Sequence, residues 1–202
     1  MHLRLYIHIF LPLCIFAQSP SYSKYERKWA FFHPFAAVKV KLISKKCYRI
    51  YSLQFIRTEL DSFSNGGKLD AFRHIFFMGA FAQKVKIKKL RKLGEAHEKA
   101  NYKMFLNSCK EFGERGDSLG SVMDILNNEL AFKMAEQNKK LSLIELQQLV
   151  LTEIKHGTAI IVKRKRNGNY LDCRDQIIDL KIYSNRWSVP KCLVKSNYIY
   201  ID

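Results

Sequence analysis

The stretch "DAFRHIFFMGAFAQ", residues 70–83, decides the fold because it reads as a helix without a polar face. On a helical wheel its apolar side chains cover both sides, with Phe72, Ile75 and Phe76 on one and Phe77, Met78 and Phe81 on the other. A helix that is apolar nearly all round is a buried helix. We therefore predict that this segment lies at the centre of a helical domain.

The residues that open this helix are polar. "SNGG" at 64–67 breaks any preceding element, and Asp70 is then predicted to cap the helix that follows. Arg73 and His74 lie in the first two turns, in apolar surroundings where polar groups need partners. They are the first candidates for a site.

Three further helices are predicted around the central one. The first runs from about 88 to 107, with an inward stripe of Leu90, Leu93, His97, Ala100 and Met104. The second begins at Asp117 or Ser118 and is predicted to bury Leu119, Val122, Met123, Leu126 and Leu130. The third begins at Ser142 and ends at Gly157.

Both ends of the chain have their own patterns. Pro34 can begin a basic amphipathic helix, whose apolar residues Phe35, Val38 and Leu42 are predicted to cover the core, with contact to a membrane surface as the alternative. After Gly157, a β-branched run and an Asn167-Gly168 turn predict a hairpin.

The predicted fold class is therefore mainly α, a helical bundle-like domain with a small C-terminal β-hairpin. The predicted divisions are a signal peptide at 1–17, an N-terminal amphipathic helical segment at 18–64, a helical core domain at 65–157, and the hairpin with an irregular tail at 158–202.

"AHEKAN", residues 96–101, resembles the start of the H-E-x-x-H helix of zinc proteases, but Asn101 stands where the second histidine would be. An asparagine is a weak neutral ligand, so zincin chemistry is not expected. The chain also lacks the G-x-S-x-G motif and a Gly-rich phosphate loop.

A site pooled from several helices is the better hypothesis. Asp70 and His74 lie one turn apart on the central helix, and polar residues at inward positions of its two neighbours are His97, Glu98, Asp124, Asn127 and Asn128. Helical bundles build metal and acid-base sites in this way.

Two chemical roles follow for this cluster. In the first, catalytic role, His97 would act as general base, and Glu98 would be its partner or the acid-base group, with His74 and Asp124 as the second pair of catalytic or ligand residues. In the second role, His74, His97 and Asp124 would bind a divalent metal. Arg73 would bind an anionic group of the substrate, and Asn127 and Asn128 would position it. The alternative is a buried polar network that only fixes how the helices pack.

The chain is strongly basic, with 35 Lys and Arg against 18 Asp and Glu and a net charge of +17. The charge predicts an anionic partner, namely anionic lipid or a cell-envelope polymer, ahead of nucleic acid. No platform of aromatic and basic residues of the kind that stacks bases is visible. A merely solvated, lysine-rich surface is the alternative.

The first residues predict export. One Arg precedes an apolar run from Leu5 to Phe16, too short for a membrane anchor but typical of a signal peptide. Cleavage after Ala17 would leave Gln18 at the N-terminus of a periplasmic or secreted protein without a transmembrane anchor. The pairing of Cys47, Cys109, Cys173 and Cys192 is left open by their spacing.

Three motifs together, "NGGKLDAFRH", "GEAHEKAN" and "DSLGSVMDILNNELAF", resemble a bacterial helical domain of uncharacterised function. The resemblance spans about 65–132. It implies an exported or cell-envelope setting, and similar domains form C-terminal modules of large secreted proteins, some of them toxin-like. It implies no activity.

The resemblance also marks the motif positions, which are Arg73, His74, His97, Glu98, Asp124, Asn127 and Asn128. Members often carry Tyr-Trp directly after the first of these histidines, where this chain has Ile75 and Phe76. A hydrogen bond from that aromatic pair is therefore not expected here.

Overall fold

The computed structural model describes residues 23–110 and 114–202. These residues form seven helices, α1 (Lys24–Phe32), α2 (Pro34–Tyr51), α3 (Gln54–Glu59), α4 (Lys68–Ala82), α5 (Ile87–Leu106), α6 (Ser118–Gln137) and α7 (Leu143–His156). Two short strands, β1 (Ile160–Val162) and β2 (Leu193–Lys195), pair antiparallel. The prediction of a mainly helical fold with a small C-terminal β element is confirmed.

Helix α4 is the central element, as predicted. Its side chains are buried on all sides, and Phe72 and Phe76 stack with ring centroids 5.2 Å apart. Helices α2, α5, α6 and α7 and strand β1 all pack against it. One continuous hydrophobic core includes α4 and extends from Trp29 in α1 to Ile161 in β1.

Local capping explains several of the helix ends. Ser142 caps α7 through a capping box with Glu145, and Gly157 ends the helix in a left-handed conformation, both as predicted. Asp117 caps α6 by accepting from the N–H groups of the next turn. Asp70 is not a cap, because α4 begins earlier, at Lys68, and Asp70 lies within its first turn.

The inward faces of α5 and α6 agree only in part with the prediction, because Leu90, Ala100 and Met123 are buried as predicted but other positions differ. Val122 and Leu126 are 45% and 44% exposed, while the polar residues Asp124, Asn127 and Asn128 are buried against α4. On α5 the buried polar position is Glu98, and His97 is only half-buried. On each helix, the face that packs inward therefore includes polar residues, and part of the predicted apolar face is exposed.

Helix α2 begins at Pro34 as predicted, but it uses the opposite face for packing. Its buried residues are Ala36, Ala37, Cys47 and Tyr51. Phe35, Val38 and Leu42, which were predicted to cover the core, are exposed. Small alanines let α2 approach the core closely, and the larger side chains are left on the outside.

The C-terminal segment reverses direction at Asn167 and Gly168, as predicted, with Gly168 at a φ of 95°. The longer ladder, however, pairs β1 with β2 from the far end of the chain, with Ile161 opposite Val194. A disulfide between Cys173 and Cys192 links the segment after the turn to the start of β2.

The predicted signal peptide lies outside the described residues. Within residues 23–110 and 114–202, no helix has the length and apolar character needed to cross a bilayer. The predicted boundaries at 17, 64 and 157 stay predictions.

Candidate functional site

Three buried side chains bring ligand-type atoms together at the interface of α4 and α6. Nε2 of His74 lies 3.2 Å from Oδ1 of Asp124 and 3.6 Å from Oδ1 of Asp70. One donor atom from each residue lies within 4.8 Å of the others. A group of one imidazole and two carboxylates at this spacing could hold a metal ion.

The sequence places these residues by simple helical spacing. Asp70 and His74 are four residues apart on α4 and therefore share a face. Asp124 shares a face of α6 with Asn127, Asn128 and Ala131, and this face packs against α4. The small side chain of Ala131 continues the stripe without separating the two helices.

Asn128 fixes the orientation of the His74 ring. Its Oδ1 lies 3.3 Å from Nδ1 of His74. An amide oxygen can only accept a hydrogen bond, so Nδ1 carries the proton and donates it. Nε2 then presents a lone pair toward the two carboxylates. Gly94 on α5 leaves room for this arrangement, since a Cβ there would meet Nδ2 of Asn128 at 3.2 Å.

Arg73 and a backbone amide hold the Asp70 carboxylate. Nη2 of Arg73 donates to Oδ1 of Asp70 over 2.5 Å, and the N–H of Gly66 donates to Oδ2 over 2.6 Å. Gly66 has a φ of 71°, a left-handed conformation that glycine adopts without strain. The same Arg73 nitrogen lies 3.3 Å from Nε2 of His74. A cation therefore already lies beside the site.

Burial lowers the pKa of His74 to about 3, because a fully enclosed imidazolium loses its hydration. The Asp70 carboxylate opposes this shift, and the Arg73 guanidinium reinforces it. The ring is therefore neutral near pH 7, and its contact with Asp124 is not an ion pair under those conditions.

The structure places His97 and Glu98 beside this group rather than in it. The His97 ring centroid is 6.3 Å from that of His74, and its Nδ1 lies 3.1 Å from Oε1 of Glu26 on α1. Oε2 of Glu98 accepts a hydrogen bond from Nδ2 of Asn101 over 3.2 Å. Asp70, not His97, is the third member of the metal-type group.

Asn127 is fully buried and bonds only to backbone in the contacts that the structure shows. Its Nδ2 donates to the carbonyl of Ile160 over 2.8 Å, and its Oδ1 accepts from the N–H of Ile160 over 3.0 Å. Both polar groups of the first residue of β1 are thereby satisfied. This side chain attaches the sheet to α6, whereas substrate positioning was predicted for it.

A cleft opens beside the group. Arg73 and Asp124 line it, which places the metal-type group at its wall. Two more cations, Arg115 and Lys191, and one more carboxylate, Asp117, also line it. Lys191 pairs with Asp117 over 2.6 Å and Arg73 pairs with Asp70 over 2.5 Å, so two of these three cations already have a carboxylate partner.

The far wall of the cleft contains residues that the sequence did not reveal. Tyr170 lies between two cations, with Arg164 at 4.3 Å and Lys191 at 3.5 Å from the ring centroid. Arg164 donates to the carbonyl of Asn65 over 2.6 Å, and the Tyr170 hydroxyl donates to Glu114. These contacts join segments far apart in the chain, and no local pattern could have indicated them.

The comparisons identify a family but no activity. The model of a domain of unknown function, DUF6973, matches residues 27–158, and the chain belongs to this family. The expected resemblance to a family of uncharacterised function is confirmed at that level. No curated protein and no solved structure matches the chain. Tyr170 and Lys191 lie beyond the matched range, so residues outside it form part of the cleft.

Proposed function

We propose that this member of the DUF6973 family binds a divalent metal ion through Asp70, His74 and Asp124. The observation that carries the proposal is the convergence of their three donor atoms within 4.8 Å at the wall of a cleft. Ligands about 2.0–2.2 Å from one ion lie about 3–3.5 Å apart. The separation from Nε2 of His74 to Oδ1 of Asp124, 3.2 Å, lies within that range, and the separation to Oδ1 of Asp70, 3.6 Å, lies just above it.

The reaction that this site supports best is hydrolysis of an envelope or phosphate-containing substrate. A bound divalent ion supplies a Lewis acid and lowers the pKa of a water molecule. Arg73 lies at both the metal-type group and the cleft, so it can bind an anionic group of the substrate next to the ion. Arg115 lies further along the same cleft, where Lys191 pairs with Asp117 over 2.6 Å.

Two predicted residues receive other roles in this proposal. Asn128 positions His74 and does not contact substrate. Glu98 is retained as the candidate acid-base group, because its partner Asn101 lines the cleft. His97 supports Glu26 at the edge of the site, so its predicted roles as base and ligand are not carried into the proposal.

A second candidate function is non-catalytic binding to the envelope through the positive surface, with the cluster as a packing device. The contact between Arg73 and Asp70 favours it, because the guanidinium already supplies positive charge to the buried carboxylate. In that case the cluster would stabilise the interface of α4 and α6 and would bind no ion.

The discriminating experiment is the metal content of the chain purified without chelators, with and without added Zn²⁺ or Mn²⁺, beside His74→Gln and Asp124→Asn. His156→Gln is the matched control, since His156 is an exposed histidine far along the chain. Circular dichroism establishes that each variant folds. Variants with bound metal are then assayed on phosphate mono- and diesters.

One ion per chain, lost in the folded His74 and Asp124 variants and kept in the control, is the expected result. No ion in the wild type at millimolar metal, together with lower stability in the two variants, would eliminate the metal site and favour the packing role. Metal binding without hydrolysis of any ester would support the metal site but contradict the proposed hydrolase activity.

We also propose that the chain is exported, and so periplasmic or secreted. The Cys173–Cys192 disulfide supports this setting, because disulfides persist in oxidising compartments. Mass analysis of the protein from cells tests it, with cleavage before Gln18 expected and an intact N-terminus on cytosolic protein as the contrary result.

A further inference from the structure

Five large apolar side chains are exposed together where α1 meets α2. Phe31 and Phe32 end α1, and Phe35, Val38 and Leu42 follow on α2. Phe35 is 85% exposed and Leu42 is 57% exposed. We call these five residues the corner patch. Single exposed apolar residues are ordinary, but five of them within residues 31–42 indicate an interaction surface.

The patch follows from the way α2 packs. Residues 35, 38 and 42 have helical spacing and lie on one side of the helix, whereas Ala36, Ala37 and Cys47 face the core on the other. Both sides of α2 are therefore apolar toward its N-terminal end. Only the side with Ala36, Ala37 and Cys47 packs against the core within the described part of the chain.

Positive charge surrounds the patch. Lys39 and Lys46 flank the stripe of Phe35 and Leu42 on one side, Lys45 and Arg49 flank it on the other, and all four are exposed. From residue 27 to residue 58 the sequence contains eight Lys and Arg residues and no Asp or Glu. Such a surface is complementary to a partner whose outer layer is anionic and whose interior is apolar.

We infer that the corner patch and the flanking cations bind the surface of an anionic lipid bilayer, with α2 lying in the plane of the headgroups. Phenylalanine and leucine at the centre would enter the boundary between headgroups and acyl chains, while the lysines keep their charges at the phosphates. The inference is independent of the metal site, because α2 contributes nothing to that group.

The chemistry of the patch favours lipid over the other anionic partners. Single-stranded nucleic acid is bound by successive aromatic rings on which its bases stack, and after Phe35 the stripe on α2 continues with the aliphatic Val38 and Leu42. An anionic sugar polymer would contact the cations but would leave the phenylalanine rings in water. A bilayer accommodates both kinds of side chain.

Vesicle sedimentation with the full chain tests the inference, using phosphatidylcholine with and without phosphatidylglycerol. Every variant has the same N-terminus, so differences between variants report on α2. The test pairs are Phe35→Ser with Leu42→Ser and Lys45→Gln with Lys46→Gln. The matched controls are Ile182→Ser with Ile199→Ser and Lys139→Gln with Lys181→Gln, which are also exposed.

Binding that requires phosphatidylglycerol is expected, and each α2 pair should lower the partition coefficient about tenfold or more, while the controls stay within about twofold. Equal loss in the controls, or unchanged binding in both α2 pairs, overturns the inference. It is also overturned if size-exclusion chromatography shows a dimer that Phe35→Ser dissociates without any vesicle binding, or if only single-stranded DNA binds.

Discussion

Oδ1 of Asn128 on α6 lies 3.3 Å from Nδ1 of His74 on α4, and this contact determines which ring nitrogen faces Asp70 and Asp124. Partners that orient a metal-binding histidine through its other nitrogen affect the metal strongly. Replacing Asn128 by alanine is therefore expected to weaken metal binding by about 10- to 100-fold. Competition with a chromophoric chelator measures the dissociation constant.

Asn138→Ala is the matched control, because Asn138 also lies at α6 but bonds to the carbonyl of Met134 and lies outside the metal-type group. Its affinity for metal should equal that of the wild type. If Asn128→Ala folds and binds metal as tightly as this control, the orienting role of Asn128 is wrong.

The neighbouring residue, Asn127, should give the opposite result. Its amide satisfies both backbone groups of Ile160, and alanine would leave two buried polar groups without these partners. The free energy of unfolding should fall by about 1–3 kcal/mol. Urea denaturation measures it, and the exposed Gln137→Ala on the same helix should change it by less than about 0.5 kcal/mol.

The metal affinity of the Asn127→Ala protein is a second measurement of the role of Asn127. A folded Asn127→Ala protein is expected to retain metal binding, because this side chain contacts the sheet and not His74. If Asn127→Ala loses as much metal affinity as Asn128→Ala and keeps its stability, Asn127 belongs to the metal site.

The features that the sequence predicted correctly are those that depend on neighbouring residues. Residues 70–83 are apolar on nearly all sides, so burial of α4 could be predicted without knowing which elements pack against it. Ser142, Gly157 and Pro34 act within one turn of their own helix, so their positions in the sequence were sufficient.

The inward faces could not be predicted in the same way. Helix α6 has an apolar stripe through Val122 and Leu126 beside a polar stripe through Asp124 and Asn127, and the polar one is buried because α4 and β1 supply its partners. Helical spacing placed Asp70, His74 and Asp124 in one predicted cluster. It could not show that Asp70, rather than His97, is the third member of the metal-type group. Tyr170 and Arg164 depend on contacts with the distant Glu114 and Asn65, which no periodicity encodes.

The Cys173–Cys192 disulfide should contribute strongly to stability. The two cysteines are 19 residues apart, and closing a loop of this size in the unfolded chain corresponds to about 3 kcal/mol. Cys192 is buried beside β2, and its carbonyl accepts from the N–H of Lys163. Urea denaturation with and without reductant should therefore show a lower midpoint after reduction.

Cys109→Ser is the control, since Cys109 is exposed and free, and it should leave both midpoints unchanged. Maleimide labelling of the native protein adds a second measurement. Cys109 should react, whereas Cys47 is buried and burial raises the pKa of its thiol to about 12. Labelling of Cys173 without reductant would contradict the disulfide.

The carboxylate of Glu26 should make stability depend on pH. Burial raises its pKa, but hydrogen bonds from His97 and Ser23 outweigh burial and hold the pKa below its ordinary value. A pKa that is lower in the folded state gives stability that is complete above the unfolded pKa, about 4.3, and is lost as the pH falls through the folded pKa. Glu26→Gln keeps one acceptor oxygen for the capping box, removes the charge and replaces the oxygen that faces His97 by an NH2 group. It should cost about 0.3–1 kcal/mol near pH 6. The difference in stability between the wild type and Glu26→Gln should disappear toward pH 3.

Urea denaturation from pH 6 to pH 3 measures this difference, with the exposed Glu95→Gln on α5 as control. A difference that stays constant from pH 6 to pH 3 would show that the charge of Glu26 does not stabilise the contact between α1 and α5.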